Sequence, residues 1–86
     1  MADRTDIEDF SSKAFQFLVR CNELTEGNES RRVSMDKVAT ELGLEAALKV
    51  AVTDYLLEEG LIKLPELGGT ISITAKGIAR VEAVQS

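Results

Sequence analysis

Histidine is missing from this 86-residue sequence, and cysteine occurs once, as Cys21. A zinc site of ordinary composition needs several Cys or His ligands, so none can be built. Imidazole-based acid–base or triad chemistry is excluded for the same reason. A lone cysteine forms no internal disulfide, which suits a reducing compartment. Cys21 falls on the apolar side of the first helical pattern, as a small buried hydrophobe rather than a reactive thiol.

Long hydrophobic runs are also lacking. No apolar stretch approaches the ~18 residues of a membrane span, and the opening MADRTDIEDF has neither the basic start nor the apolar run of a secretory signal. The expectation is a cytoplasmic protein without a membrane span. Without that signal, the sequon Asn28-Glu29-Ser30 carries no meaning. No repeat, low-complexity tract or linker divides the chain, so residues 1–86 are expected to form a single domain.

Positive charge is scarce too. Ten Lys and Arg against fifteen Asp and Glu give a net charge of −5, which opposes non-specific binding of polyanions. The imbalance is uneven. Residues 1–30 hold seven acids and three bases, whereas residues 31–86 hold eight and seven. A local positive patch therefore remains possible in the second part. Hydrophobic residues make up 44% of the chain, enough for one thin core that hides about 60–65% of the unfolded surface.

Ile7, Phe10, Ala14, Phe17, Leu18, Cys21 and Leu24 recur at helical spacing, predicting an amphipathic helix over Asp6 to Thr25. Asp6, Glu8 and Asp9 then occupy its first turn, favourably for the helix dipole. Phe15 and Val19 lie off the main stripe, either packed against the last helix or exposed to a partner. A polar turn leads to a short strand within Arg31 to Ser34, and Ser34 is a plausible N-cap for a helix ending near Leu42. Gly43 suits a left-handed turn.

In the following helix Leu44, Ala47, Leu48, Ala51, Val52, Tyr55 and Glu59 are expected to face inward, and Ala46, Lys49, Val50, Thr53 and Leu57 outward. Gly60 closes it. Leu61 to Leu64 and Thr70 to Ile73 read as strands around the loop Pro65 to Gly69. Ile71 and Ile73 alternate with the outward Thr70, Ser72 and Thr74. Thr74 can cap a last helix holding Ala75, Ile78, Ala79 and Val81, with Gly77 a mild weakness.

The order helix, strand, helix, helix, hairpin, helix resembles the winged helix-turn-helix superfamily. The phrases Leu56-Leu57-Glu58-Glu59-Gly60-Leu61-Ile62 and Thr74-Ala75-Lys76-Gly77 resemble small MarR- and PadR-like regulators. The resemblance covers roughly residues 33–82. It implies an α+β fold with a three-helix core, a two- or three-stranded β-wing and a C-terminal helix. It also implies a homodimeric transcription regulator that binds double-stranded DNA, with the second helix of the pair in the major groove and the wing on the backbone. Carried onto this chain, the DNA contacts are Arg31, Arg32, Lys37, Lys49, Thr53 and Lys63.

The outward residues of that helix depart from a base-reading surface, which exposes hydrogen-bonding side chains. One lysine and one threonine stand among Ala46, Val50 and Leu57, with Asp54 and Glu58 nearby, and the wing tip carries Glu66 and no base. The alternative is a protein-interaction module using Phe15, Val19, Ala46, Val50 and Leu57. No enzyme, cofactor or metal is expected. Gly68-Gly69-Thr70 lacks the lysine and spacing of a phosphate loop, and Glu58-Glu59 reads as solvated surface.

Overall fold

The first helix has the clearest pattern and forms the spine of the fold. In the computed structural model, which describes residues 2–64 and 69–85 and the side chains of 10–64 and 69–84, α1 spans Ala2–Thr25. It starts four residues before Asp6, so Asp6, Glu8 and Asp9 lie beyond its first turn. Their side chains and that of Ile7 are outside the described residues. Ala14, Phe17, Leu18 and Cys21 are buried, and Phe10 and Leu24 pack beside them. Buried Thr25 ends the stripe with its hydroxyl donating to the Cys21 carbonyl at 2.8 Å, so no polar hydrogen is stranded there. Phe15 and Val19 are half-buried against this core.

The chain then forms β1 (Val33–Ser34) and α2 (Met35–Glu41). Ser34 caps α2 by accepting the Lys37 N–H at 3.2 Å. Gly43, at φ +71°, makes the left-handed turn that frees the chain to start α3 (Ala46–Glu58).

α3 is rotated about its axis from the expected orientation by roughly one residue, or 100°. Its buried members are Val52, Thr53 and Leu56, with Leu44, Leu48 and Leu57 partly buried. Ala47, Ala51, Tyr55 and Glu59, expected inside, are exposed. Residues 46 to 52 are apolar except for Lys49, so periodicity has little contrast to work with. Volume decides instead: burying Leu and Val removes more apolar surface from water than burying Ala.

Gly60, at φ +74°, closes α3, and the Leu61 N–H reaches back to the Leu56 carbonyl at 2.9 Å. β2 (Ile62–Lys63), β3 (Thr70–Ile73) and α4 (Ala75–Gln85) complete the chain. Pro65 to Gly68, including Glu66, lie outside the described residues. The sheet is three-stranded and antiparallel in the order β1-β3-β2. Ile71 and Ile73 face the core. Ser72, expected to be exposed, is 2% accessible because β3 is the central strand.

Thr74 locks β3 to α4. Its hydroxyl donates to the Gly60 carbonyl at 2.7 Å and accepts the Gly77 N–H at 3.0 Å. Gly77 is a packing requirement rather than a weakness, since a Cβ there would lie 2.2 Å from the Leu61 carbonyl oxygen. Among the described residues the architecture is mixed α+β, with four helices and one small antiparallel sheet. No helix among the described residues is long and apolar enough to cross a membrane.

Candidate functional site

Two outward surfaces collect the candidate residues, one on α3 and one on the sheet. On α3 the exposed residues of the first half are Ala46, Ala47, Val50 and Ala51, and Val50 is 53% accessible. Asp54 and Glu58 follow on the same side. With a period of 3.6, residues 47, 51, 54 and 58 share one stripe. The helix therefore shows an apolar, small-residue half followed by an acidic half. Exposed Tyr55 stands at its edge, its ring meeting Phe10 edge-on at 5.7 Å.

The polar residues expected on this surface are engaged elsewhere. Thr53 is buried, and its hydroxyl donates to the Lys49 carbonyl at 2.9 Å. Lys49 is half-buried with its ammonium 2.5 Å from Asp36, so its charge is spent on α2. Leu57 is partly buried against the core, leaving Ala46 and Val50 as the exposed members of the expected apolar set on α3.

Register assembles the second surface. Lys63 is the cross-strand partner of Ser72, and Val33 is that of Ile71. Continuing the second pairing by one residue beyond β1 sets Arg32 opposite Ser72, so Arg32, Ser72 and Lys63 form a row across the sheet. Cross-strand neighbours have Cβ atoms about 4.5–5.5 Å apart. The stems of the two long side chains explain why Ser72 is buried on the sheet's outer side. These residues line one polar cleft with Ser30 and Glu29. Of the six expected DNA contacts, only Arg32 and Lys63 share this cleft. Arg31 is exposed and 3.5 Å from Glu26, and exposed Lys37 lies on α2.

Elsewhere, ion pairing is peripheral. Arg20 donates to Glu41 at 2.7 Å and to Glu23 at 3.1 Å. The hydrogen bond from Arg20 holds the Glu41 carboxyl below the usual carboxylate range. Burial pushes the Cys21 thiol up to about 12, so it stays protonated and unreactive at neutral pH. Among the described residues no group of three or more His, Cys, Asp or Glu is placed to hold a metal.

Residue pattern alone missed Ala47, Ala51 and Tyr55 as surface residues. Weighting by side-chain volume would have found the two alanines. It also missed the Arg32–Ser72–Lys63 row, which depends on register. No protein-family model, curated protein or solved structure matches this chain.

Proposed function

We propose that this chain is a winged-helix protein whose second paired helix, α3, engages another protein instead of reading DNA bases. The observation that supports this reading is the outer face of α3: Ala46, Ala47, Val50 and Ala51 in the first half, Asp54 and Glu58 in the second. A helix reading the major groove presents donors and acceptors to base edges. This one presents methyl groups, then two carboxylates that would repel phosphates. Small apolar side chains instead allow close approach of a partner's apolar surface, and desolvating them costs no hydrogen bonds.

Charge points to the partner's chemistry. A complementary surface is apolar opposite Val50 and Ala51 and basic opposite Asp54 and Glu58. In a two-fold self-pairing the same patch meets itself, so in an antiparallel α3–α3 contact the apolar halves would oppose acidic ones. The favoured partner is therefore a different, basic-flanked protein segment.

The test is cross-linking with mass spectrometry in the source cell, comparing the wild type with Val50→Asp and Asp54→Lys at equal abundance. A cross-link to one protein that both changes abolish, followed by direct binding of the purified pair, supports the reading. An unchanged set of cross-links in both variants contradicts it.

One observation favours a second reading, that of DNA backbone binding. Arg32 and Lys63 flank Ser72 in one cleft whose described lining holds two cations against one carboxylate, Glu29, an arrangement able to hold a phosphate oxygen. Such contacts carry no base information. They give weak, salt-sensitive binding that Lys63→Ala diminishes and Val50→Asp leaves unchanged.

A further inference from the structure

A cavity of about 220 Å³ opens between α1, α3 and α4, apart from the sheet cleft and bordering the outer face of α3 at Tyr55, which lines it. Ala14, Phe15 and Leu18 form one wall, Leu56 and Val84 the others. Arg80 is the one charged residue among the described lining. Among the described lining residues none is a carboxylate, and Arg80 makes no hydrogen bond or ion pair with another described residue. Arg80 and Val84 are one turn apart on α4, which sets the guanidinium and the apolar wall along the same side of the helix.

The dimensions limit what fits. An apolar cavity of about 150 Å³ accepts benzene, whereas sites for drug-sized ligands and cofactors occupy about 300–1,000 Å³. This one suits a small apolar body. The chemistry limits it further. A guanidinium remains charged at every physiological pH and presents a planar fork of donors that matches a carboxylate. A neutral molecule would leave that fork unused, and a cation would be repelled.

We propose that this cavity binds a small amphipathic carboxylate, its apolar body of about six to eight carbons seated between α1, α3 and α4 and its head group paired with Arg80. The site shares Tyr55 with the edge of the partner surface on α3 but uses none of Ala46, Ala47, Val50, Ala51, Asp54 or Glu58, so it stands or falls separately. Its exposed cation provides selectivity for the head group, and the apolar walls provide most of the affinity.

The experiment is an amide-shift titration of the 86-residue protein, followed by NMR, with octanoate and with 1-octanol as probes, each below its self-association concentration. Octanoate is expected to move the amides around Ala14, Leu18, Leu61 and Val84 and to bind about five-fold tighter than octanol. Arg80→Gln, a change at an exposed position, is expected to lower octanoate affinity to that of octanol and leave octanol binding unchanged. Three results would each overturn the assignment: no shifts at the cavity with millimolar octanoate, equal affinity for both probes in the wild type, or unchanged octanoate binding in Arg80→Gln.

Discussion

α1 and α3 pack against each other, yet their sequences specify that packing in opposite ways. α1 sets apolar residues against a polar background, and the residues its period selects, Ala14, Phe17, Leu18 and Cys21, are the buried ones. The first half of α3 is apolar on nearly every side, so its period selects little and side-chain volume chooses Val52 and Leu56 for the core. The consequence is functional as well as structural. A helix with contrast spends its apolar residues on the core, whereas α3 has a surplus left on its outer face. That surplus is the surface assigned here to a partner.

The largest effects should separate buried from surplus positions within and between these helices. Phe17→Ala is expected to cost about 3–5 kcal/mol, and Leu56→Ala about 2–5 kcal/mol, in denaturant unfolding. Val50→Ala and Ala51→Ser, on the outer face of α3, are expected to stay within about 0.5 kcal/mol. If Ala51→Ser instead destabilised as much as Leu56→Ala, the orientation of α3 described above would be wrong.

Next in size is the junction that holds α4 beneath the end of α3. Gly77→Ala forces a methyl against the Leu61 carbonyl and is expected to cost about 1–3 kcal/mol. Thr74→Ala removes the α4 cap and is expected to cost about 1 kcal/mol. Unfolding midpoints of the two variants check both values. A Gly77→Ala variant as stable as the wild type would mean that α4 sits farther from Leu61.

The smallest effect is the pH dependence of the Arg20–Glu41 pair, which ties α1 to α2. The folded-state pKa of Glu41 lies below its unfolded value because Arg20 hydrogen-bonds its charged form. The pair's stabilisation is therefore fully present above the ordinary carboxylate range and fades as pH falls through the lowered pKa. Both side chains are solvent-accessible, so the effect is slight. Glu41→Gln should differ from the wild type near neutrality and converge with it in acid. A difference that grows towards low pH would contradict the assignment.

Much of the fold was legible because short-range signals agreed with each other. Ser34 caps α2, Gly43 and Gly60 take the left-handed conformation, and Thr74 caps α4, each where its side chain or lack of one suggests. Most of the errors required knowledge of neighbours distant in sequence. Ser72 is buried because strands lie on both sides of it, and Gly77 is needed because Leu61 passes close by. Thr53 looked like a groove contact, but its hydroxyl bonds its own helix. Lys49 looked like a free cation, although Asp36, thirteen residues earlier, claims it. Candidate sites were accordingly less legible than elements, since a site depends on which faces remain after packing.

The most direct measurement is selection of bound duplexes from a randomised DNA pool with sequencing, followed by fluorescence anisotropy of the enriched and the unselected duplexes at about 50 mM salt, where phosphate contacts are strongest. It would be made with the wild type and with Val50→Asp. No sequence is expected to be enriched, and any weak, salt-sensitive signal is expected to be the same from both proteins. A sequence-selective complex that Val50→Asp abolishes would show that the outer face of α3 reads bases, and would contradict the proposed function.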